Sequence, residues 1–470
     1  MLLPYKNVKN IMTAKKIKLE VIILAAGEGK RMQSSLPKVL HQLAGKPLLQ
    51  HVLDSSKALA PEFTHVVIGF GGEQVRDSLQ QAAVNWVEQQ EQLGTGHAVM
   101  QALPAVADDA VVLVLYGDVP LVQAGSLQAL LQQAAHAPAL LTARVANPAG
   151  YGRILRNQQG QLLAVVEQAD ATPEQQQIDE INTGILAAPA SLLKELLPRV
   201  ANNNSQNEYY LPDILALAVE QGMAVATASV DSELEILGVN DRLQLQQLER
   251  EYQRRLAQEL MLAGVTLADA ERVDIRGRVR CGRDSFVDAN VLFEGEVRLG
   301  SGVSVGANCV LIDCEIGNGV EIKPFSYLEG VVVGDDCQIG PFARLRPEVR
   351  LEPGVRIGNF VEIKKSRIGA GSKVSHLSYV GDCEMGAGVN IGAGTITCNY
   401  DGTNKHLTTI GNGVFIGSNS TLIAPLEISA GGFVGAGSTI TRKVAPDQLA
   451  ISRTKQRNLD GWKRPAKKED

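Results

Sequence analysis

The sequence predicts an α/β chain of unlike parts: an N-terminal doubly wound, Rossmann-like domain, a long linker helix, and a C-terminal parallel β-helix of hexapeptide repeats. Three observations predict it. Apolar strand-like runs alternate with helical segments before residue 241, one amphipathic helical stretch follows, and an aliphatic residue then returns every six positions as far as Ile440. At 470 residues the chain is far too long for one core. The expected boundaries are a disordered extension over 1–18, the α/β domain over 19–240, the linker helix over 241–263, the β-helix over 264–450 and a tail over 451–470.

The first eighteen residues carry several lysines, and an upstream start codon would account for them equally well. The apolar run Val21 to Ala26 is too short to span a membrane and reads as a buried strand. VIILAAG, HVVIGFGG and AVVLVLYGD are the clearest strands, each ending in the small or acidic residues that meet ligands in such sheets. From Asp241 to Ala263, Leu245, Leu248, Tyr252, Leu256 and Leu260 recur at helical spacing, with Gly264 just past the end. The hexad pattern starts raggedly at Val273, Val279, Val287 and Val297. It then runs Leu299, Val305, Leu311; Ile316, Ile322, Leu328; Val333, Ile339, Leu345, Leu351, Ile357, Ile363; and, after a break, Ile410, Ile416, Leu422, Ile428, Val434 and Ile440. A period of six fits neither a helix nor an alternating strand, and small residues beside the aliphatic position suit tight corners.

Composition narrows the function classes. Forty-five basic against 51 acidic residues give a net charge of −6, a balance that implies no nucleic-acid-sized basic surface. Six cysteines without a CxxC pair predict a reduced, cytoplasmic protein in which most thiols are small core or corner residues.

Residues 24–40, LAAGEGKRMQSSLPKVL, are the first candidate site. Gly27 and Gly29 let backbone amides approach a phosphate, and Lys30, Arg31 and Lys38 offer it positive charge. A dinucleotide fingerprint needs glycine where Met32 stands, and a Walker loop needs Ser or Thr where Arg31 stands, so both are excluded. On the two glycines alone, a plain strand-turn remains open.

The full string resembles the sugar-1-phosphate nucleotidyltransferase signature LxAAGxGxRMxSxxPKxL. Gln92-Leu93-Gly94-Thr95-Gly96, Tyr116-Gly117-Asp118-Val119-Pro120, Tyr151-Gly152-Arg153-Ile154, Glu167 and Asn182-Thr183-Gly184 accompany it, and the hexad domain follows. From about Val21 to Trp462 the chain resembles the bacterial family of bifunctional N-acetylglucosamine-1-phosphate uridyltransferases/glucosamine-1-phosphate acetyltransferases, whose hexapeptide coils are left-handed and trimeric. The resemblance implies a homotrimer, small-molecule substrates (glucosamine-1-phosphate, N-acetylglucosamine-1-phosphate, UTP, acetyl-CoA), and neither a nucleic-acid nor a membrane partner.

At the uridylyl site the resemblance implies Mg²⁺ on Asp118 and Asn240, with Arg31 and Lys38 stabilising phosphate charge. Leu24, Ala25, Ala26, Gly27, Gln89, Gly94, Thr95, Tyr116 and Gly117 would hold the nucleotide, and Gly152, Glu167 and Asn182 the amino sugar. Lys30 stands where relatives usually carry Thr, which leaves its contact open. No covalent intermediate is required, so positioning and charge neutralisation carry the chemistry.

The second candidate site is read from the break between Ile363 and Ile410, where Ser375-His376-Leu377-Ser378-Tyr379 and Thr397-Cys398-Asn399-Tyr400-Asp401-Gly402 depart from the aliphatic phase. An imidazole at about pKa 6.5 suits removal of a proton from an attacking amine. By resemblance His376 is that base. Arg346 and Lys364 would bind the sugar phosphate, Tyr379 and Asn390 line the sugar, Asn399 and Tyr400 complete the site, and Ala393, Ser418, Ala436 and Arg453 meet CoA. Direct transfer needs no cysteine nucleophile, although Cys383 and Cys398 lie close in sequence. Two other readings remain: a monofunctional nucleotidyltransferase with a structural β-helix, against which His376, Asn399 and Tyr400 count, and a non-catalytic assembly subunit, against which Arg31, Lys38 and Asp118 count.

Overall fold

A computed structural model describes residues 18–465 and 467; residues 1–17 of the expected disordered extension lie outside the described residues, as do 466 and 468–470 of the tail. Lys18, placed in that extension, belongs to the sheet, since its carbonyl accepts from the Val111 amide at 2.8 Å. The chain divides into two compact units between Glu251 and Tyr252, within the linker helix.

In the first unit the strands run in the spatial order Ala226–Ser229, Ala139–Arg144, Glu180–Pro189, Val111–Tyr116, Leu19–Ala25, Phe63–Ile68, Asn85–Glu88. All neighbours on this path are parallel except that Glu180–Pro189 opposes both strands beside it. Leu19–Ala25 is buried along its whole length, as a central strand covered on both faces must be. The chain leaves it for Phe63–Ile68 on one side and returns later to Val111–Tyr116 on the other. The carboxyl ends of Leu19–Ala25 and Val111–Tyr116 therefore part at a topological switch point, where open α/β sheets bind ligands.

The linker helix spans Arg242–Leu262. The Asp241 carboxylate accepts from the Gln244 amide at 2.8 Å, an N-cap. Past the other end Gly264 turns left-handed at φ +97°, and the Val265 amide reaches back to the Leu260 carbonyl at 3.1 Å. In the second unit the buried Gln253 side chain exchanges two 2.8 Å hydrogen bonds with the Ile275 backbone, occupying a strand edge that would otherwise be exposed.

The second unit is a stack of short parallel strands. Every aliphatic residue of the regular hexads is buried, and they form one continuous core from Leu260 to Val444. The early pattern is ragged because Val273–Cys281 and Val291–Leu299 are nine-residue strands paired in register, the second of which pairs onward with two separate short strands, Val310–Ile312 and Glu315–Ile316.

The break expected between Ile363 and Ile410 is narrower than the sequence suggested. The inward positions continue through Ile368, Val374, Val380, Met385, Ile391 and Thr397, all buried. Ser375-Tyr379 does not interrupt them. The inward threonine and the longer coil around it mask the phase. The departure is one inserted loop after Ile396–Cys398: Lys373 pairs with Asn390, 17 positions on, whereas Asn390 pairs with Phe415, 25 positions on.

All six cysteines are free, four of them buried. Burial pushes the Cys383 thiol up to about 12, so it is inert at neutral pH. Among the described residues no helix is long and apolar enough to cross a membrane.

Two candidate active sites

The first site assembles at the switch point. The Gly117 amide donates to the Leu24 carbonyl at 2.9 Å, and a side chain at Gly117 would press on the Ala25 Cβ at 3.3 Å. One residue on, the Asp118 carbonyl accepts from the Val239 amide at 2.9 Å, which brings Asn240 alongside. Pro37 leads into the short turn Lys38–Leu40, and the Lys38 ammonium donates to Asp118 Oδ2 at 2.5 Å and Asn240 Oδ1 at 3.2 Å. Three residues far apart in sequence thus converge on one point.

Two hard oxygens, a carboxylate and an amide carbonyl, meet there. That donor set fits Mg²⁺, which takes one or two protein oxygens and completes its shell with phosphate and water. Among the described residues no group of three His, Cys, Asp or Glu is gathered that could hold a metal on its own.

Beside this point lies a cavity of about 220 Å³. Of the residues expected at the uridylyl site, Leu24, Ala25, Ala26, Gly27, Lys38, Gln89, Gly94, Thr95, Tyr116 and Asp118 line it. Gln92 and Glu208 line it too. Gln92 stands in a quoted motif, but Glu208 is reached only through the fold: at φ +106°, Gly94 leaves no room for a Cβ, which would lie 2.7 Å from the Tyr209 carbonyl oxygen. Gln89 is buried, its amide donating to the Gly94 carbonyl at 3.3 Å. Thr95 opens the helix Thr95–Ala102, and its hydroxyl accepts from the Leu211 amide at 3.0 Å.

Gly152, Glu167 and Asn182 form a neighbouring cluster. A Cβ on Gly152 would meet Glu167 Oε1 at 3.0 Å, and Asn182 Nδ2 donates to the same oxygen at 3.5 Å. Asn182 Oδ1 accepts from the Gly184 amide at 2.8 Å, and a Cβ on Gly184 would lie 2.6 Å from the Tyr116 ring. Burial holds the Glu167 carboxyl above its ordinary range, with Asp213 and Asp170 adding to it against the Asn182 hydrogen bond. Burial, then Glu167 and Asp118, also push the Tyr116 phenol up, so it stays a hydrogen-bonding hydroxyl. Arg31 lies outside this convergence, exposed on the turn Lys30–Met32, and Lys30 pairs with Glu28 at 3.0 Å.

The second site follows one edge of the β-helix. Counting two residues past each inward aliphatic on one face gives Ala307, Pro324, Pro341, Asn359, His376, Ala393, Ser418 and Ala436, one per coil. The predicted base and three predicted CoA residues are therefore in line. Arg453 joins the end of that line, its guanidinium donating to the Ala436 carbonyl at 2.6 Å. His376 is exposed, its Nδ1 2.8 Å from Asn359 Oδ1.

Past the corner, Arg346 and Lys364 take the same position in successive coils. Arg346 donates to Glu362 at 3.0 Å, and Glu362 is paired with Tyr379. Asn399 is buried and donates its side-chain amide to the buried Asp382 carboxylate. The inserted loop closes on itself through a Tyr400–Lys405 bridge and an Asp401–His406 pair at 2.7 Å. His406, with the Asn404 and Thr403 amides, holds Asp401 well below the usual carboxylate range. Lys405, absent from the sequence-based set, stands beside Lys364 and depresses its pKa. Asn390 is not brought to Tyr379; it lies on the face before the corner, between Lys373 and Phe415.

The family descriptions that match are a MobA-like NTP transferase domain over residues 21–201 and the bacterial transferase hexapeptide (six repeats) over residues 330–365. A curated relative from Marinobacter nauticus, named Bifunctional protein GlmU, is 56% identical over 450 residues, covering 96% of this chain and 99% of its own length. Another of the same name, from Nitrosospira multiformis, is 53% identical over 453 residues, covering 96% and 98%. A solved nucleotidyl transferase from Methanothermobacter thermautotroptrophicus aligns with 51% of this chain and 99% of its own at 18% identity and a TM-score of 0.37, too distant to argue from.

Proposed function

The chain belongs to the bifunctional GlmU family, and from that membership we propose how its residues divide two reactions between the sheet's switch point and one edge of the β-helix. It is a bifunctional enzyme of UDP-N-acetylglucosamine synthesis, N-acetylating glucosamine-1-phosphate and uridylylating the product. The observation that carries the two-site reading is that Lys38, Asp118 and Asn240 meet at one point while His376, Ala393, Ser418 and Ala436 lie in line on the other unit.

In the uridylyl reaction an oxygen of the sugar phosphate attacks the α-phosphorus of UTP and pyrophosphate leaves. The backbone of Leu24 to Gly27 with Gln89, Gly94, Thr95, Tyr116 and Gly117 holds the nucleotide. Gly152, Glu167 and Asn182 hold the amino sugar. Magnesium, when bound on Asp118 and Asn240, supplies charge neutralisation for the phosphates. Lys38, already at those oxygens, and the exposed Arg31 add positive charge where negative charge develops.

In the acetyl reaction the glucosamine amine attacks the thioester of acetyl-CoA, the C–S bond breaks, and His376 takes the amine proton and passes it to the departing sulfur, so that CoA leaves as the thiol. Arg346 and Lys364 receive the sugar phosphate. Tyr379, Asn390, Asn399 and Tyr400 surround the sugar, and Ala393, Ser418, Ala436 and Arg453 the CoA. The working form is a homotrimer with sites between subunits. Support comes from Asn390 and Tyr379 lying on different faces, which a neighbouring copy can reunite, and from the exposed stack Phe325, Phe342 and Phe360, with ring centroids 5.0 and 5.2 Å apart. The setting is the cytoplasm, consistent with six free cysteines.

Coupled assays on the purified protein test this. CoA release with glucosamine-1-phosphate and pyrophosphate release from UTP with N-acetylglucosamine-1-phosphate are both expected. Either activity missing removes that half of the reading, and a comparison of the four NTPs fixes the nucleotide.

A further inference from the structure

We infer that Asn359 is the positioning residue for His376, fixing which ring nitrogen acts as the base; the inference rests on the assignment of His376 given above. Its side-chain oxygen lies 2.8 Å from His376 Nδ1. An amide oxygen carries no hydrogen, so the contact is a hydrogen bond only when Nδ1 holds one. In the neutral imidazole that leaves the lone pair on Nε2, the nitrogen that faces away from Asn359 and takes the proton of the attacking amine.

The repeat shows that this pairing is built rather than incidental. On the edge column the other coils carry Ala307, Pro324, Pro341, Ala393, Ser418 and Ala436. Only two adjacent coils place long polar side chains there, and those are Asn359 and His376. Their backbones are paired directly, the Leu377 amide donating to the Asn359 carbonyl at 3.1 Å. Gly358 makes the stacking possible, because a Cβ there would lie 1.8 Å from the Ser375 carbonyl oxygen. The Ser378 hydroxyl donates to the His376 carbonyl at 2.8 Å, holding the corner itself. The imidazole is exposed, so Asn359 supplies orientation that burial does not.

The test uses the full-length protein with Asn359→Leu, Asn359→Ala and Asn359→Asp beside His376→Ala. Leucine and alanine cannot accept the Nδ1 hydrogen, and a carboxylate can. For Asn359→Leu and Asn359→Ala, kcat for acetyl transfer is expected to fall on the order of 10-fold with both KM values within about twofold, the size of effect that misorientation of a reacting group produces. Asn359→Asp is expected to recover kcat to within about threefold, and uridylyl transfer to stay unchanged throughout. Full kcat in Asn359→Ala, or an Asn359→Asp as slow as Asn359→Ala, overturns the inference. If Asn359→Leu lowers Tm enough to lose the fold, Asn359→Ala against Asn359→Asp still decides. His376→Ala separates the two claims. If it retains acetyl transfer, the base assignment itself fails; if it is inactive while Asn359→Ala is fully active, only the positioning role does.

Discussion

At the switch point Lys38, Gln89, Thr95 and Asp118 surround a cavity of about 220 Å³ inside one unit, and the residues around it are already hydrogen-bonded to one another. Along the β-helix edge, His376, Ala393, Ser418 and Ala436 follow one another coil by coil, with His376, Ser418 and Ala436 exposed. The groove of about 420 Å³ beside His376 runs toward Phe342 and Phe360, away from Ala393 and Ser418. A doubly wound sheet makes concavity by parting its strands, and a prism has no such device. Its edge offers a ruler of positions and must obtain walls from elsewhere. One chain can therefore complete the first site, whereas the second is expected to need a neighbour's surface.

The strongest way to break this comparison is to remove chemistry at one site and look for an effect at the other. His376→Ala is expected to cut acetyl transfer by about 10²- to 10⁴-fold, the range general bases supply, with pyrophosphate release unaltered. Asp118→Ala is expected to cut uridylyl transfer by on the order of 10²- to 10³-fold with CoA release unaltered. Cross-effects in either assay would mean that the sites are not independent.

A backbone change sharpens the comparison further. The coils meet so closely at Gly358 that alanine there must push them apart at the level of His376. Gly358→Ala is expected to lower stability by about 1–3 kcal/mol, as overpacking does, and to impair acetyl transfer selectively. Thermal unfolding read alongside both assays checks this. Retained acetyl transfer at full stability would show that the stacking of Asn359 under His376 is not needed.

How far each region could be read from sequence follows the same divide. The hexads were legible because each inward position is aliphatic and buried, and a period of six fits neither a helix nor an alternating strand. The coils between Ile363 and Ile410 were not, because Thr397 is polar yet buried and the coil from Asn390 to Phe415 runs 25 residues. The phosphate loop is contiguous, so it could be recognised as a string. Glu208 and Lys405 arrive from distant segments or an irregular loop, and no local pattern marks them. Asn359 carries a signal of a different kind. It breaks a column of Ala, Pro and Ser one coil before His376, visible once the sequence is laid out by coils.

The smallest expected difference is one of pH, and it belongs to the α/β unit. Burial, with Asp170 nearby, raises the Asp213 carboxyl from 3.8 to about 6, and Glu167 is raised in the same cluster. A carboxyl whose pKa is higher folded than unfolded binds its proton more tightly in the native state. Its contribution is therefore fully present below about pH 3.8 and is lost as pH rises through about 6. Above that, the native state holds an ionised carboxylate in a partly desolvated, negatively charged place. Asp213→Asn removes the charge and is expected to raise stability at pH 8 by about 1 kcal/mol, discounted for partial exposure, with less gain at pH 5. Thermal melts at the two pH values read the difference. An equal gain at both would mean that packing, not ionisation, governs Asp213. A pH-dependent gain would mark this cluster, beside the proposed sugar contacts Glu167 and Asn182, as the place where the first site holds charge against its own burial.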